Sequence, residues 1–224
     1  MSKLQNIMSY LFPIIIAKRE GKVTDYLEVT KSNGKYVLNS ANANYSFGGL
    51  HEIFDTFLNK INISQFKTTN ILLLGMGAGD IVTLLKEKHK INTTITAIEK
   101  DPIVIELAKT YFNIDRFNNL KIVEADAFEF CKNSNEKFDL VIIDIFVDGD
   151  VPAIFATNEF ITNLRNVMSE KSCLIYNKMT EKPHHKVEFN KLLEELKPLF
   201  PGAEMHKLNS FGWENSLIYY NTIA

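Results

Sequence analysis

The 224-residue chain is 46% hydrophobic and 23% charged, an ordinary globular composition with enough length to bury a sizeable core. Its formal net charge of -2 leaves no global basic field of the kind that holds nucleic acid. The two cysteines, Cys131 and Cys173, stand far apart without metal-site spacing, which excludes a disulfide framework and points to a reduced, cytoplasmic setting.

In chain order, the run LFPIIIA (Leu11 to Ala17) is too short to span a bilayer and lacks a cleavage signal before KREGK, so no membrane association is expected. It reads as a buried N-terminal strand or an interface patch. VTDYLEVTKSNGKYVLNS then sets two β-rich runs around Asn33-Gly34, the signature of a tight hairpin. In GLHEIFDTFLNKI, Leu50, Ile53, Phe54, Phe57, Leu58 and Ile61 recur at three- and four-residue spacing and predict an amphipathic helix.

Beyond Thr68, short apolar runs alternate with amphipathic ones. NILLLG, TITAIE, LKIVEA, FDLVIIDIF and SCLIYNKM predict strands; helices are expected over 80–89, 102–111, 127–132, 158–168 and 184–199. Such alternation predicts βαβ units around a parallel sheet covered on both faces. The tail AEMHKLNSFGWENSLIYYN reads as two strands with no helix between them, hence an antiparallel pair giving the sheet a mixed edge. Residues 1–48 are expected to form the hairpin region and 49–224 the α/β body.

ILLLGMGAGD, the stretch from Ile71 to Asp80, carries the first chemical signal. A triphosphate loop needs Lys and then Ser or Thr after the glycines, whereas Asp80 and Ile81 follow here. A dinucleotide turn places a third glycine where Asp80 stands, and a carboxylate there opposes pyrophosphate. A ligand with a cationic centre reverses that sign. Glu99, Asp126 and Asp144 end the next three strands at the sheet edge where α/β folds bind ligands: Glu99 suits ribose hydroxyls, and Asp126 an adenine amino group. Asp80 and Asp126 are equally open to reading as helix caps. His184 and His185 begin a helix without a third ligand at metal spacing, so they are expected in solvent and no metal is expected.

GMGAGD, AIEKD, EADAF and FDLVIIDIF together resemble the motifs of class I S-adenosylmethionine-dependent methyltransferases, and within that fold the spermidine synthase-like family. The resemblance implies a Rossmann-like α/β methyltransferase fold, a mixed seven-stranded sheet preceded by the small β-hairpin region, and a homodimer. It implies that Gly75, Gly77 and Gly79 line the methionine and ribose portion of S-adenosylmethionine or its decarboxylated form. Asp80 would lie near the amino end, Glu99 on the ribose, and Asp126 with Ala127 around adenine. In NYSFGGLHEIF, His51 and Glu52 match the family's Tyr-His-Glu helix while Leu50 replaces the tyrosine.

The family's Asp-Ser-Ser-Asp-Pro loop is replaced by Asp144-Ile145-Phe146-Val147-Asp148. The first acid, the expected catalytic base, remains; Val147 stands at the position of the second. Acceptor contacts are expected from Tyr45, His51, Phe146 and Asp148, with Phe47 and Trp213 as further aromatic candidates. On this loop the leading expectation is methyl transfer to a small acceptor. The alternatives are aminopropyl transfer to an amine and a noncatalytic nucleoside-binding protein.

Overall fold

The computed structural model describes residues 3–41, 44–47, 49–147, 150–180, 182–210 and 213–223, with backbone alone at 3–5, 44, 45, 49, 50, 210 and 213. Its N-terminal layer is larger than a hairpin. After a short helix α1 (Lys3–Met8), strands β1 (Ile14–Arg19), β2 (Leu27–Ser32), β3 (Lys35–Ser40) and β4 (Asn44–Ser46) form a four-stranded antiparallel sheet in that order. The turn expected at Asn33-Gly34 is there: both residues have positive φ, 49° and 76°, and Ser32 faces Lys35 across it. The apolar run before it becomes the edge strand β1. Leu11, Phe12 and Ile15 are exposed, so this run is not the buried strand, one of its two expected readings.

Helix α2 (Gly49–Lys60) leads into the main sheet, whose elements are β5 (Asn70–Leu74), α3 (Asp80–Thr83), β6 (Thr94–Glu99), α4 (Pro102–Phe112), β7 (Leu120–Glu124), α5 (Ala127–Asn133), β8 (Phe138–Ile143), α6 (Asn158–Val167), β9 (Met168–Met179), α7 (Pro183–Leu196), β10 (Glu204–Ser210) and β11 (Trp213–Asn221). The seven strands run β10-β11-β9-β8-β5-β6-β7, parallel except that β11 is antiparallel to both its neighbours. The mixed edge anticipated from the helix-free tail is therefore present.

Alternation along β5 sends Leu72 and Leu74 to one face and Ile71 and Leu73 to the other. Helices α5, α6 and α7 cover the first face with Phe128, Phe160, Leu164, Phe189 and Leu192. Helix α2 covers the second with Phe54 and Phe57, beside Ile81 of α3 and Ala108 of α4. A smaller cluster joins Leu27, Val29 and Leu38 of the N-terminal sheet to Val104 and Leu107 of α4.

Most helix starts follow from local chemistry. Asp101 caps α4 ahead of Pro102 by accepting the Ile103 amide, Asp126 caps α5, and Thr157 caps α6. The expected regular helix 80–89 differs. After Thr83 it widens into a π-helical turn over Leu84–Lys88, with the His89 amide bonded to the Leu84 carbonyl. That turn keeps Leu84 and Leu85 buried and lets Lys86 reach the Thr93 carbonyl. Among the described residues, no helix is long and apolar enough to cross a membrane.

The chain passes outward from β5 through β6 to β7, then returns to build β8 and β9 on the other side of β5. That reversal opens a crevice at the carboxyl ends of β5, β6 and β8.

Candidate active site

A cavity of about 490 Å³ occupies the crevice. Gly75 and Gly77, Asp80, Glu99, Asp126, Ala127, Asp144 and Phe146, spread over 72 residues of chain, all line it. Gly79 does not; its place is beneath the turn, where a Cβ would lie 2.1 Å from Cδ1 of Ile114. All three glycines have positive φ, 86°, 55° and 89°, the region that L side chains avoid. The turn is pinned from two sides: the Gly77 amide donates to Glu99 at 3.0 Å and the Ala78 amide to Oγ of Ser46 at 2.9 Å. The N-terminal sheet thus supports the glycine turn directly.

Glu99 ends β6 at 7% exposure, its two carboxylate oxygens taking the amides of Gly77 and Asp101 at 3.0 Å each. Burial pushes its carboxyl pKa up, against those backbone donors. Asp126 is the helix cap foreseen for it, one oxygen accepting the Phe128 and Glu129 amides while the other meets Nζ of Lys100 at 3.0 Å, and the residue lines the cavity. Burial raises the Asp126 pKa, but Lys100 and the two amides outweigh it and hold the carboxyl below its ordinary range.

Asp80, in the first turn of α3, is 5% exposed and accepts hydrogen bonds from the His51 ring nitrogen Nδ1 and from the Phe47 amide. The Asp80 carboxylate raises the His51 pKa. His51 therefore acts on the cavity through Asp80 and does not line it. Phe47 stacks on Phe112, centroids 5.1 Å apart, which makes it a packing residue. Asp148 lies outside the described residues, as do the side chains of Tyr45 and Trp213.

Asp144, half-buried and immediately after β8, lines the cavity. Desolvation pushes its pKa up to about 7, Asn177 opposes this by donating a hydrogen bond at 2.8 Å, and the negative charge of Asp80 adds to the rise. Asn177 and its own partner Asn215, 2.8 Å away, were not foreseen from the sequence. Their signal was present as two amides inside otherwise apolar strands, SCLIYNKM and ENSLIYY.

The expectation that His184 and His185 lie in solvent is corrected for the second. His185 is buried at 2%, and its Nε2 is 2.8 Å from Oδ1 of Asp150, which returns from the loop after β8. With His184 these atoms lie within 4.8 Å of one another, a third ligand atom that sequence spacing did not reveal. The Lys182 amide donates to Nδ1 of His185, leaving the proton of the neutral ring on Nε2, aimed at Asp150. His185 and Asp150 thereby form a hydrogen-bonded clasp between the loop and helix α7.

The family model for the spermine/spermidine synthase domain matches residues 58–208. The polyamine aminopropyltransferase of Sulfurisphaera tokodaii is 34% identical over 106 residues, 43% of this chain and 34% of that protein. The chain spans between 34% and 38% of the length of the first curated relatives it matches. Spermidine synthase of Thermotoga maritima superposes with a TM-score of 0.71 at 17% identity, covering 93% of this chain and 74% of the other. Human methyltransferase-like protein 13, solved with S-adenosylhomocysteine, gives 0.61 at 19% identity, with 78% and 82% covered. At these identities the two structures share a fold with this chain, and that fold serves both group transfers.

Proposed function

The chain belongs to the spermine/spermidine synthase family, and from that premise we propose that it transfers the aminopropyl group of decarboxylated S-adenosylmethionine to a small amine. The choice over methyl transfer, the leading expectation from the loop sequence, is carried by the charge of the cavity. Asp80 and Asp144 face it beside the glycine turn, and Lys100 is the one lysine or arginine among its described lining residues, already paired with Asp126. Intact S-adenosylmethionine brings a carboxylate toward that end, where it meets like charge. The decarboxylated donor brings only a sulfonium and an ammonium, which two carboxylates attract. The curated aminopropyltransferase relatives support the same reading.

In this reaction the neutral amine attacks the propyl carbon bonded to sulfur; a C–N bond forms, the C–S pair leaves with neutral methylthioadenosine, and the positive charge of the sulfonium passes to the new secondary ammonium. Alignment supplies most of the rate, because the leaving group needs no acid. An alkylamine, with a pKa of about 10, arrives protonated and must lose that proton before its lone pair can attack, and Asp144 in the cavity lining is the acceptor in this proposal. Asp144 accepts only when ionised, so turnover should rise as pH increases through about 7.

The test supplies purified protein with either donor and a panel of mono- and diamines, and assays methylthioadenosine and S-adenosylhomocysteine. Methylthioadenosine formed from the decarboxylated donor, with donor affinity at least about tenfold above that for S-adenosylmethionine, is expected; a factor of ten corresponds to about 1.4 kcal/mol. S-adenosylhomocysteine as the product, or tighter binding of the carboxylated donor, would restore methyl transfer.

A further inference from the structure

We propose that Asn215 and Asn177 are positioning residues, a directional amide relay that favours the ionised form of Asp144 and ties one of its carboxylate oxygens back into the sheet. Sheet register creates the relay. Parallel pairing sets Ile143 of β8 beside Tyr176 of β9, so the next step in that register sets Asp144 beside Asn177; antiparallel pairing sets Asn177 opposite Leu217 of β11, two residues from Asn215. A one-residue slip of β9 would turn Asn177 to the opposite face of the sheet and present its neighbours instead.

The bonds have a direction. Nδ2 of Asn177 donates to Oδ1 of Asp144, and Nδ2 of Asn215 donates to Oδ1 of Asn177, both at 2.8 Å. An ionised carboxylate can only accept, so Asn177 must present its NH2 to Asp144 and its carbonyl oxygen then needs a donor. Asn215 is that donor. Asn177 is fully buried and Asn215 3% exposed, so water competes poorly for either amide. Reversal of Asn177 would aim its oxygen at Asp144 and favour the protonated acid; the Asn215 bond opposes that reversal. The other charged residues lining the cavity are Asp80 from α3, Glu99 from the end of β6, Glu129 from α5, and Asp126 paired with Lys100, and the Asp80 charge works against ionisation of Asp144.

The relay rests on the reading of Asp144 as proton acceptor, and its test separates the two. Ligand-free protein carrying 13C at aspartate side-chain carboxyls is titrated by NMR, the Asp144 signal being the one lost in Asp144→Asn. Asn177→Leu should raise the Asp144 midpoint by about one unit. Asn215→Leu, whose native amide bonds Asn177, should move it a smaller distance in the same direction. Should Asn177→Leu fail to fold, the Asn215→Leu shift alone decides. Unmoved midpoints in the folded variants overturn the relay and leave the amides as packing. The pH dependence of turnover is measured alongside. Midpoints that move while the acid limb of kcat stays fixed uphold the relay and overturn the assignment of Asp144 as proton acceptor.

Discussion

In the proposed reaction, Asp144 is useful for the same reason that it burdens the fold. Desolvation makes the carboxylate a stronger proton acceptor, and its pKa rises from 3.8 to about 7. A raised carboxyl favours the folded state while protonated, and that contribution is lost as pH climbs from about 4 through about 7. Asp144→Asn should therefore be more stable than the parent at pH 8, by on the order of 2 kcal/mol after discounting for water in the cavity, with no gain at pH 3.5. The same substitution should lower turnover by about 10²-fold or more. Thermal melts at both pH values, read beside product formation, check both halves. A variant that loses activity with no pH-dependent gain in stability would mean that Asp144 is not desolvated as described. Asp126 and Glu99 show why acids at strand ends resist a single label: each holds backbone amides and lines the ligand cavity as well.

Helices and turns were the most legible elements because their signals are local. Asp101 with Pro102, Asp126, and Asn33-Gly34 act within three residues of themselves, and the elements they punctuate start or turn where the residues say. The π-helical turn after Thr83 carries Lys86 to the Thr93 carbonyl, and Thr93 in turn donates to the carbonyl of Thr68, 25 residues away and beyond any local window. The glycine turn mixes the two. Its positive φ is local, but a Cβ on Gly75 would lie 2.2 Å from the Asp144 carbonyl oxygen, which belongs to a strand end 69 residues away. Gly75→Ala should cost about 3 kcal/mol, backbone strain plus a clash with main chain that cannot yield. Gly202→Ala, at φ +83° with nothing within 4 Å, should cost only the strain, about 1 kcal/mol. Equal losses in urea denaturation would show that the contact with Asp144 relaxes and that conformational strain alone accounts for the glycine.

At the scale of the described chain, a Rossmann-like α/β sheet carries a four-stranded layer braced against its glycine turn. Asp101 joins the two: it caps α4 and also accepts the Lys22 and Val23 amides at 2.8 and 3.0 Å, at 1% exposure. Asp101→Ala should lose about 2–3 kcal/mol, a cap plus two bonds across the junction. A loss in equilibrium denaturation no larger than that of a lone cap would mean that the cluster of Leu27, Val29, Leu38, Val104 and Leu107 holds the layer alone. Residue order by itself determined the α/β class, the mixed sheet edge, the glycine turn and the acids at strand ends, because periodicity, capping and turn chemistry act over a few residues. The tertiary structure alone decided which amides stand behind Asp144, that Asp150 returns to His185, and that Asp80 and Asp144 line one cavity. Each of those depends on strands or loops brought together from more than 30 residues apart, and register and burial, which set distance and dielectric, exist only once the sheet has formed.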